Sequence, residues 1–296
     1  KASPLARAMA AEMGIDLAGV QGSGYRGKVM AGDLTPAEQQ NVQEAIKEIE
    51  QVVLGKHEQV KEVMTAFLAG GHVLLEDIPG VGKTTLALAF SQTLSLDMKR
   101  VQCTPDVMPS DITGFSVYRQ DKGDFVFHRG SVFCNLFLAD ELNRTSPKTQ
   151  SALLEAMEER QVTVDSNTYR LEEPFMVLAT QNPLESYGTY PLPEAQIDRF
   201  MIKISLGYTA LTEEVKFVMF GKQAKKMIEP VASKEDIVAL SDLADRVRLD
   251  EKVATYIVHI VTATRSHPDI KLGSSPRGSI SLYSLSRSEE RRVGKE

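Results

Sequence analysis

The residues of this 296-residue chain best suited to chemistry cluster at the ends of apolar runs. The first cluster is Asp77-Ile78-Pro79-Gly80-Val81-Gly82-Lys83-Thr84-Thr85. Gly80 and Gly82 let the backbone curl around Val81 so that consecutive N–H groups point at one phosphate. Lys83 supplies a mobile point charge for β- and γ-phosphates, the Thr84 hydroxyl suits Mg²⁺, and Thr85 continues the cradle into a helix. The strict phosphate-loop pattern has Gly where this chain has Asp77, whose carboxylate would face the phosphates unless it turned away. The second cluster is Asp140-Glu141, closing the apolar run Leu136–Ala139. Asp140 would hold Mg²⁺ through water, and Glu141 would polarise an attacking water. Asn182 follows a third apolar run and could orient that water or sense the γ-phosphate, or simply form a turn before Pro183. Arg199 and Arg277 could each neutralise charge in phosphoryl transfer, or each be a surface ion-pair partner.

These groups need a scaffold that brings strand ends together. His72–Glu76 reads as a buried strand leading into the glycine loop, and Leu86, Leu88, Ala89 and Leu94 as the helix after it. Strand, loop and helix in that order are the phosphate-binding context, and the chain is expected to bind a nucleotide. Leu136–Asp140 and Phe175–Thr180 read as further buried strands of a parallel sheet, whose C-terminal edge is where α/β proteins hold ligands. Upstream, Thr35-Pro36-Ala37-Glu38 opens a helical stretch carrying Val42, Ile46, Ile49 and Val53, broken at Gly55. Hairpins are expected around Asp121–Asp124 and around Ser166-Asn167. From about residue 210 the pattern is helical, with Ile237, Leu240, Leu243, Ala244 and Val247 on one face. Val253, Tyr256, Ile257, Ile260 and Val261 form another.

Composition narrows the function. With 34 basic and 40 acidic residues the net charge is −6, which argues against coating nucleic acid. No apolar run approaches the ~18 residues of a membrane span. Two cysteines, Cys103 and Cys134, suit a reducing cytoplasm, where the protein is expected. The five histidines form no metal-ligand pair at helical spacing.

The two ends read separately. Ser3-Pro4 starts a helix carrying Leu5, Met9 and Met13, and Gly22–Gly27 follows as Gly-x-Gly-x-x-Gly. That loop lacks the preceding strand a dinucleotide site needs. The stretch "ASPLARAMAAEMGIDLAGVQGSGYRGKVMAGDL" instead resembles the peripheral subunit-binding domain of dihydrolipoamide acyltransferases, a tiny two-helix unit. The resemblance implies a domain over 1–35 that docks dihydrolipoamide dehydrogenase, with Arg7 and Lys28 at basic positions of that family. Ala8, Ala11 and Ala31 stand where the family often has Lys or Arg, so a helical module binding something else is the other reading. Leu34-Thr35-Pro36 joins this unit to the rest without a frame scar, as a natural fusion would. Residues 287–296 lack apolar periodicity and look like a translated sequencing adapter, so the natural sequence is expected to stop near Ser286.

Residues 38–286 resemble the MoxR family of AAA+ ATPases. The segments "GHVLLEDIPGVGKTTLA", "LADELNRTSPKTQSALLEAMEERQVTV", "LATQNPLESYGTYPLPEAQIDRF" and "SSPRGSI" carry the likeness in the right order. It implies an α/β P-loop core over 36–207, a parallel sheet flanked by helices, and a small all-α lid over 208–286. It implies ATP and Mg²⁺ as cofactors, with Lys83 and Thr84 in Walker A and Asp140 and Glu141 in Walker B. Asn182 would be sensor one, Arg199 a finger reaching a neighbouring subunit, and Arg277 a sensor two carried by the lid towards the nucleotide. Arg144 would contribute at the subunit interface. The family suggests a ring homo-oligomer, a hexamer, that hydrolyses ATP to remodel or mature partner complexes, often with von Willebrand factor A proteins. The alternative is a nucleotide-switched tether docking on a 2-oxoacid dehydrogenase complex through residues 1–35.

Overall fold

The computed structural model describes residues 37–78, 80–121, 123–183, 188–208, 211–220, 228–247 and 249–293. The subunit-binding-like unit, with Arg7 and Lys28, lies outside the described residues, as does Pro79 of the glycine loop.

Five parallel strands form the central sheet: β1 (Val73–Glu76), β2 (Met98–Gln102), β5 (Leu136–Asp140), β8 (Met176–Gln181) and β9 (Ile202–Ile204). Their order is β2-β5-β8-β1-β9. The inner strands β5 and β8 are buried along their whole length, because helices cover both faces and neither can afford an alternating polar side. Alternate residues feed two separate cores. Val73, Leu75, Leu136, Leu138, Met176 and Leu178 point to one, and Leu74, Phe137, Ala139, Val177 and Ala179 to the other. The period-two geometry of a strand makes that division.

The first core is closed by α1 (Ala37–Glu50), α2 (His57–Leu68), α3 (Lys83–Thr93) and α8 (Lys234–Arg246). The chain leaves helical form between α1 and α2, where Gly55 takes a φ of 70°. The second core is closed by α5 (Pro147–Glu159), which buries Leu153, Leu154 and Met157. Ser146 caps α5 by accepting the Thr149 N–H at 3.3 Å, and Pro147 sits where no amide partner is needed. Because α5 returns from the C-terminal end of β5, it delivers Glu158 and Arg160 to the N-terminal edge of the sheet.

Both expected hairpins form. After the short α4 (Pro109–Thr113), β3 (Gly114–Arg119) pairs with β4 (Asp124–Arg129). At its base Gly114 has a φ of 97°, and a side chain there would run into the His128 carbonyl. The second hairpin pairs β6 (Gln161–Val164) with β7 (Asn167–Arg170). Its turn is Asp165-Ser166, one residue earlier than expected, and both residues are left-handed as a tight hairpin requires. Asn167 is already in the strand. Phe127 and Tyr169 stack at 3.9 Å and join the two hairpins.

Five further helices follow β8 among the described residues. These are α6 (Glu194–Ile197), α7 (Leu211–Phe220), α8, α9 (Glu251–Ser266) and α10 (Pro276–Val293). On α9 only Ile257 and Val261 of the expected face are buried, while Val253, Tyr256 and Ile260 are exposed. The helix meets its neighbours along a narrow stripe, so most of its apolar side is left uncovered. α10 continues to Val293, and Arg287 donates to the Ala244 carbonyl at 3.0 Å and pairs with Asp245 at 3.3 Å. No helix among the described residues is long and apolar enough to cross a membrane.

Candidate functional site

The glycine loop leaves the C-terminal end of β1. Gly80 and Gly82 take φ values of 88° and 95°, and a Cβ on either would meet nothing within 4 Å. The loop is thus an open cradle whose shape excludes side chains by backbone conformation, not by crowding. Gly82 precedes the first turn of α3, so the free N–H groups of that turn face the cradle. Val81 packs partly against the first core, Thr84 is half-buried and Thr85 exposed. Lys83 is buried and donates to the Asp77 carbonyl at 2.9 Å. Burial pushes its ammonium pKa down, opposed by the charges of Asp140, Asp77 and Glu141. Asp77 itself turns away from the cradle, accepting the backbone N–H groups of Leu206 and Gly207.

Two strands away, β5 delivers Asp140 and Glu141 to the same edge. Asp140 is buried, with one oxygen accepting from Thr180 Oγ1 at 2.8 Å and the other from Arg100 Nη2 at 2.7 Å. Glu141 sits in the left-handed region, φ 59°, with its N–H donating to the same Thr180 hydroxyl at 2.8 Å. Few non-glycine residues hold that conformation without support. Thr180, from the strand between the two clusters, supports both acids with one hydroxyl. The Glu141 carboxylate accepts from Gln102 Nε2 at 2.8 Å and Arg144 Nη1 at 3.1 Å. Asn182 follows β8, buried between the two strand ends, and its carbonyl accepts from Asn143 at 3.5 Å.

Lys83, Thr84, Asp140, Glu141 and Asn182 therefore share one edge of one sheet. Arg199 and Arg277 do not join them. Arg199 precedes β9 and Arg277 opens α10, and together with Gly70, Gly71 and His72 they line a cavity of about 250 Å³ at the N-terminal edge. Arg277 is accordingly not carried towards the glycine loop of its own chain. Helices α8 and α10 pack against α1 and α2, and α10 begins at the far end of the strands. Both arginines pair there with Glu158, Arg199 at 3.2 Å. His72, beneath them, accepts the Val177 N–H at Nδ1 and donates from Nε2 to the Met157 carbonyl. Burial first, and then the Arg160 charge, push its pKa down to about 3.

Sequence reading missed Arg100, Gln102, Thr180 and Glu158. Arg100 and Gln102 carried a usable signal, being polar residues on alternate positions of a strand beside the acidic one. Thr180 and Glu158 carried none, because their partners are remote in sequence.

The family described as "ATPase family associated with various cellular activities (AAA)" matches residues 72–202, and the "e3 binding domain" matches residues 1–35. The chain is 50% identical over 240 residues to the uncharacterized protein YeaC of Bacillus subtilis, covering 80% of this chain and 75% of that one. It is 38% identical over 261 residues to the chaperone MoxR1 of Mycobacterium tuberculosis, covering 85% and 69%. The chain belongs to the MoxR family of AAA+ ATPases. A crystal structure of a protein designated an ATPase, from Cytophaga hutchinsonii, superposes on this MoxR-type fold with a TM-score of 0.79. It is 38% identical, covering 87% of this chain and 82% of that one.

Proposed function

We propose that this MoxR-family chain hydrolyses ATP at sites shared between subunits of a ring and uses the turnover to remodel partner proteins. One observation carries the reading: Lys83 and Glu141 lie at one edge of the sheet, and Arg199 and Arg277 at the other. A single chain thus presents half of a phosphoryl-transfer site at each end. Two such halves meet only in a head-to-tail contact, the kind of interface that closes into a ring when the rotation between subunits allows it.

Within the shared site, Lys83 takes the β- and γ-phosphates and the backbone around Gly80–Gly82 cradles them. Glu141 accepts the proton of the attacking water, and Asn182 orients that water. Thr84 and Asp140 would hold Mg²⁺, which neutralises charge on the phosphate oxygens. The neighbour's Arg199 and Arg277 meet the charge that develops as the γ-phosphoryl is transferred. Gln102 and Arg144 hold the Glu141 carboxylate, so activation requires it to turn from them to the water. An intact base and finger favour hydrolysis over a nucleotide-switched tether, which needs neither. The aromatic tip of the first hairpin, with Tyr118 and the 66%-exposed Phe125 in edge contact at 5.2 Å, is a surface for a client chain.

Steady-state ATP hydrolysis across a protein concentration series, with Glu141→Gln alongside, tests the reading. Turnover per subunit should rise with concentration and vanish in the variant. Turnover independent of concentration down to the monomer would exclude a shared site.

A further inference from the structure

We infer that Glu158 is the positioning residue of the arginine pair: it holds Arg199 and Arg277 as one preformed anion clamp for the neighbouring subunit's phosphates. The inference rests on the shared-site reading above and adds to it a residue that touches no nucleotide.

The geometry is specific. Arg199 Nη2 lies 3.2 Å from Oε2 of Glu158, and Arg277 Nη2 meets Oε1, so each carboxylate oxygen takes one guanidinium. A second tie joins the same two segments. Ser275 Oγ donates to Asp198 Oδ2 at 2.7 Å and accepts the Arg277 N–H at 3.0 Å. The backbones on which the arginines stand are therefore locked to each other, and Glu158 sets where their long side chains end. The third arginine of the cavity is not available to the clamp, because Arg160 donates to the carbonyls of Phe175 and Gly70. His72 is tied by both ring nitrogens.

The charges explain why a carboxylate is needed. Two guanidinium ions converging on one cavity repel, and each side chain has many rotamers. One carboxylate between them removes the repulsion and still leaves the pair with a net positive charge. Each guanidinium has five N–H donors, so most remain for a phosphate, and Nε of Arg199 is buried with no hydrogen-bond partner among the described residues. Glu158 thereby orders the clamp before the neighbour arrives, which is when preorganisation contributes most to a transition state.

The test uses the full chain with Glu158→Ala and Glu158→Asp, beside Arg199→Ala, Arg277→Ala and Glu141→Gln. Glu158→Ala should lower kcat on the order of 10- to 100-fold with KM for ATP within about twofold, and Glu158→Asp should recover part of the loss. Added to Arg199→Ala, it should cost little more, since the pair acts as a unit. Subunit mixing separates positioning from misfolding. Glu158→Ala mixed with Glu141→Gln should regain turnover, because one supplies a sound nucleotide edge and the other a sound clamp. Mixed with Arg199→Ala it should not. Full turnover in Glu158→Ala, while Arg199→Ala is inactive, would overturn the role of Glu158 alone. Failure of Glu158→Ala to regain turnover with Glu141→Gln, where Arg199→Ala does, would also overturn it. Full turnover in both arginine variants would remove the shared-site reading itself.

Discussion

Asp77 and Lys56 grip the same short turn from opposite sides. The Asp77 carboxylate accepts the N–H groups of Leu206 and Gly207, the latter at 3.1 Å. The buried Lys56 ammonium donates to the carbonyls of Leu206, Gly207 and Tyr208 at 2.6, 2.9 and 2.9 Å. The turn joins β9 to the C-terminal helices, so the residue that departs from the strict phosphate-loop pattern ties that loop to the rest of the chain. Asp77→Ala leaves the buried Leu206 N–H and the part-buried Gly207 N–H unpaired. It should lower the melting temperature by roughly 5–10 °C, on a cost of about 1–3 kcal/mol per group. Differential scanning fluorimetry reads this directly, and an unchanged melting temperature would show that the turn is held by other contacts.

Thr180 ties the two acids of the site through one hydroxyl, accepting from the Glu141 amide and donating to Asp140, both at 2.8 Å. Thr180→Val keeps the shape and removes both bonds. It should reduce kcat by about 10- to 100-fold through misplacement of Glu141, while ATP binding changes little. A fluorescent ATP analogue and a turnover assay on the same protein separate these effects.

Glu141→Gln removes the proton acceptor and keeps the volume. Turnover should fall by about 10²- to 10⁴-fold with ATP still bound. Loss of binding together with turnover would assign Glu141 to nucleotide affinity instead.

Stability should decline in mild acid because of His72. Its folded pKa of about 3 lies below the ordinary 6.5, so between those values the unfolded chain binds the extra proton. Stability is therefore full above about pH 6.5 and falls, by up to about 1.4 kcal/mol per pH unit, as pH drops towards 3. Urea melts at pH 7.0 and 5.0 should show a shallower loss for His72→Asn than for the parent chain. Equal slopes would place the acid sensitivity elsewhere.

Cys103 and Cys134 are both buried, and burial pushes each thiol up to about 12. Neither should react with Ellman's reagent in the native state, and both should do so in guanidinium chloride. Fast native labelling would reveal an opening that reaches the second core, in which both lie.

Local chemistry made the Lys83 edge of the sheet legible in advance. A glycine loop, Lys83 and Thr84 must be contiguous to wrap one phosphate, and Asp140-Glu141 must end an apolar strand, so each leaves a short signature. The hairpins were legible for a similar reason, except that the turn residue of the second was set by strand register, which Asn167 alone did not reveal. The course of the last helix past Ser286 was not, because its contacts with Ala244 and Asp245 come from a distant segment.

By itself the sequence determined the α/β class, the residues of the phosphate loop and the acidic strand end, and the likeness that the comparisons bore out. Only the tertiary structure decided which groups share an edge. A parallel strand has two ends, and residues written in order along the chain fall at one or the other according to where each helix returns. Glu158 reaches the far edge because α5 runs back along the sheet, and Arg277 because α10 begins there. The partition of lysine, acids and asparagine to one edge and two arginines to the other is a property of the packed sheet, and no spacing in the chain records it.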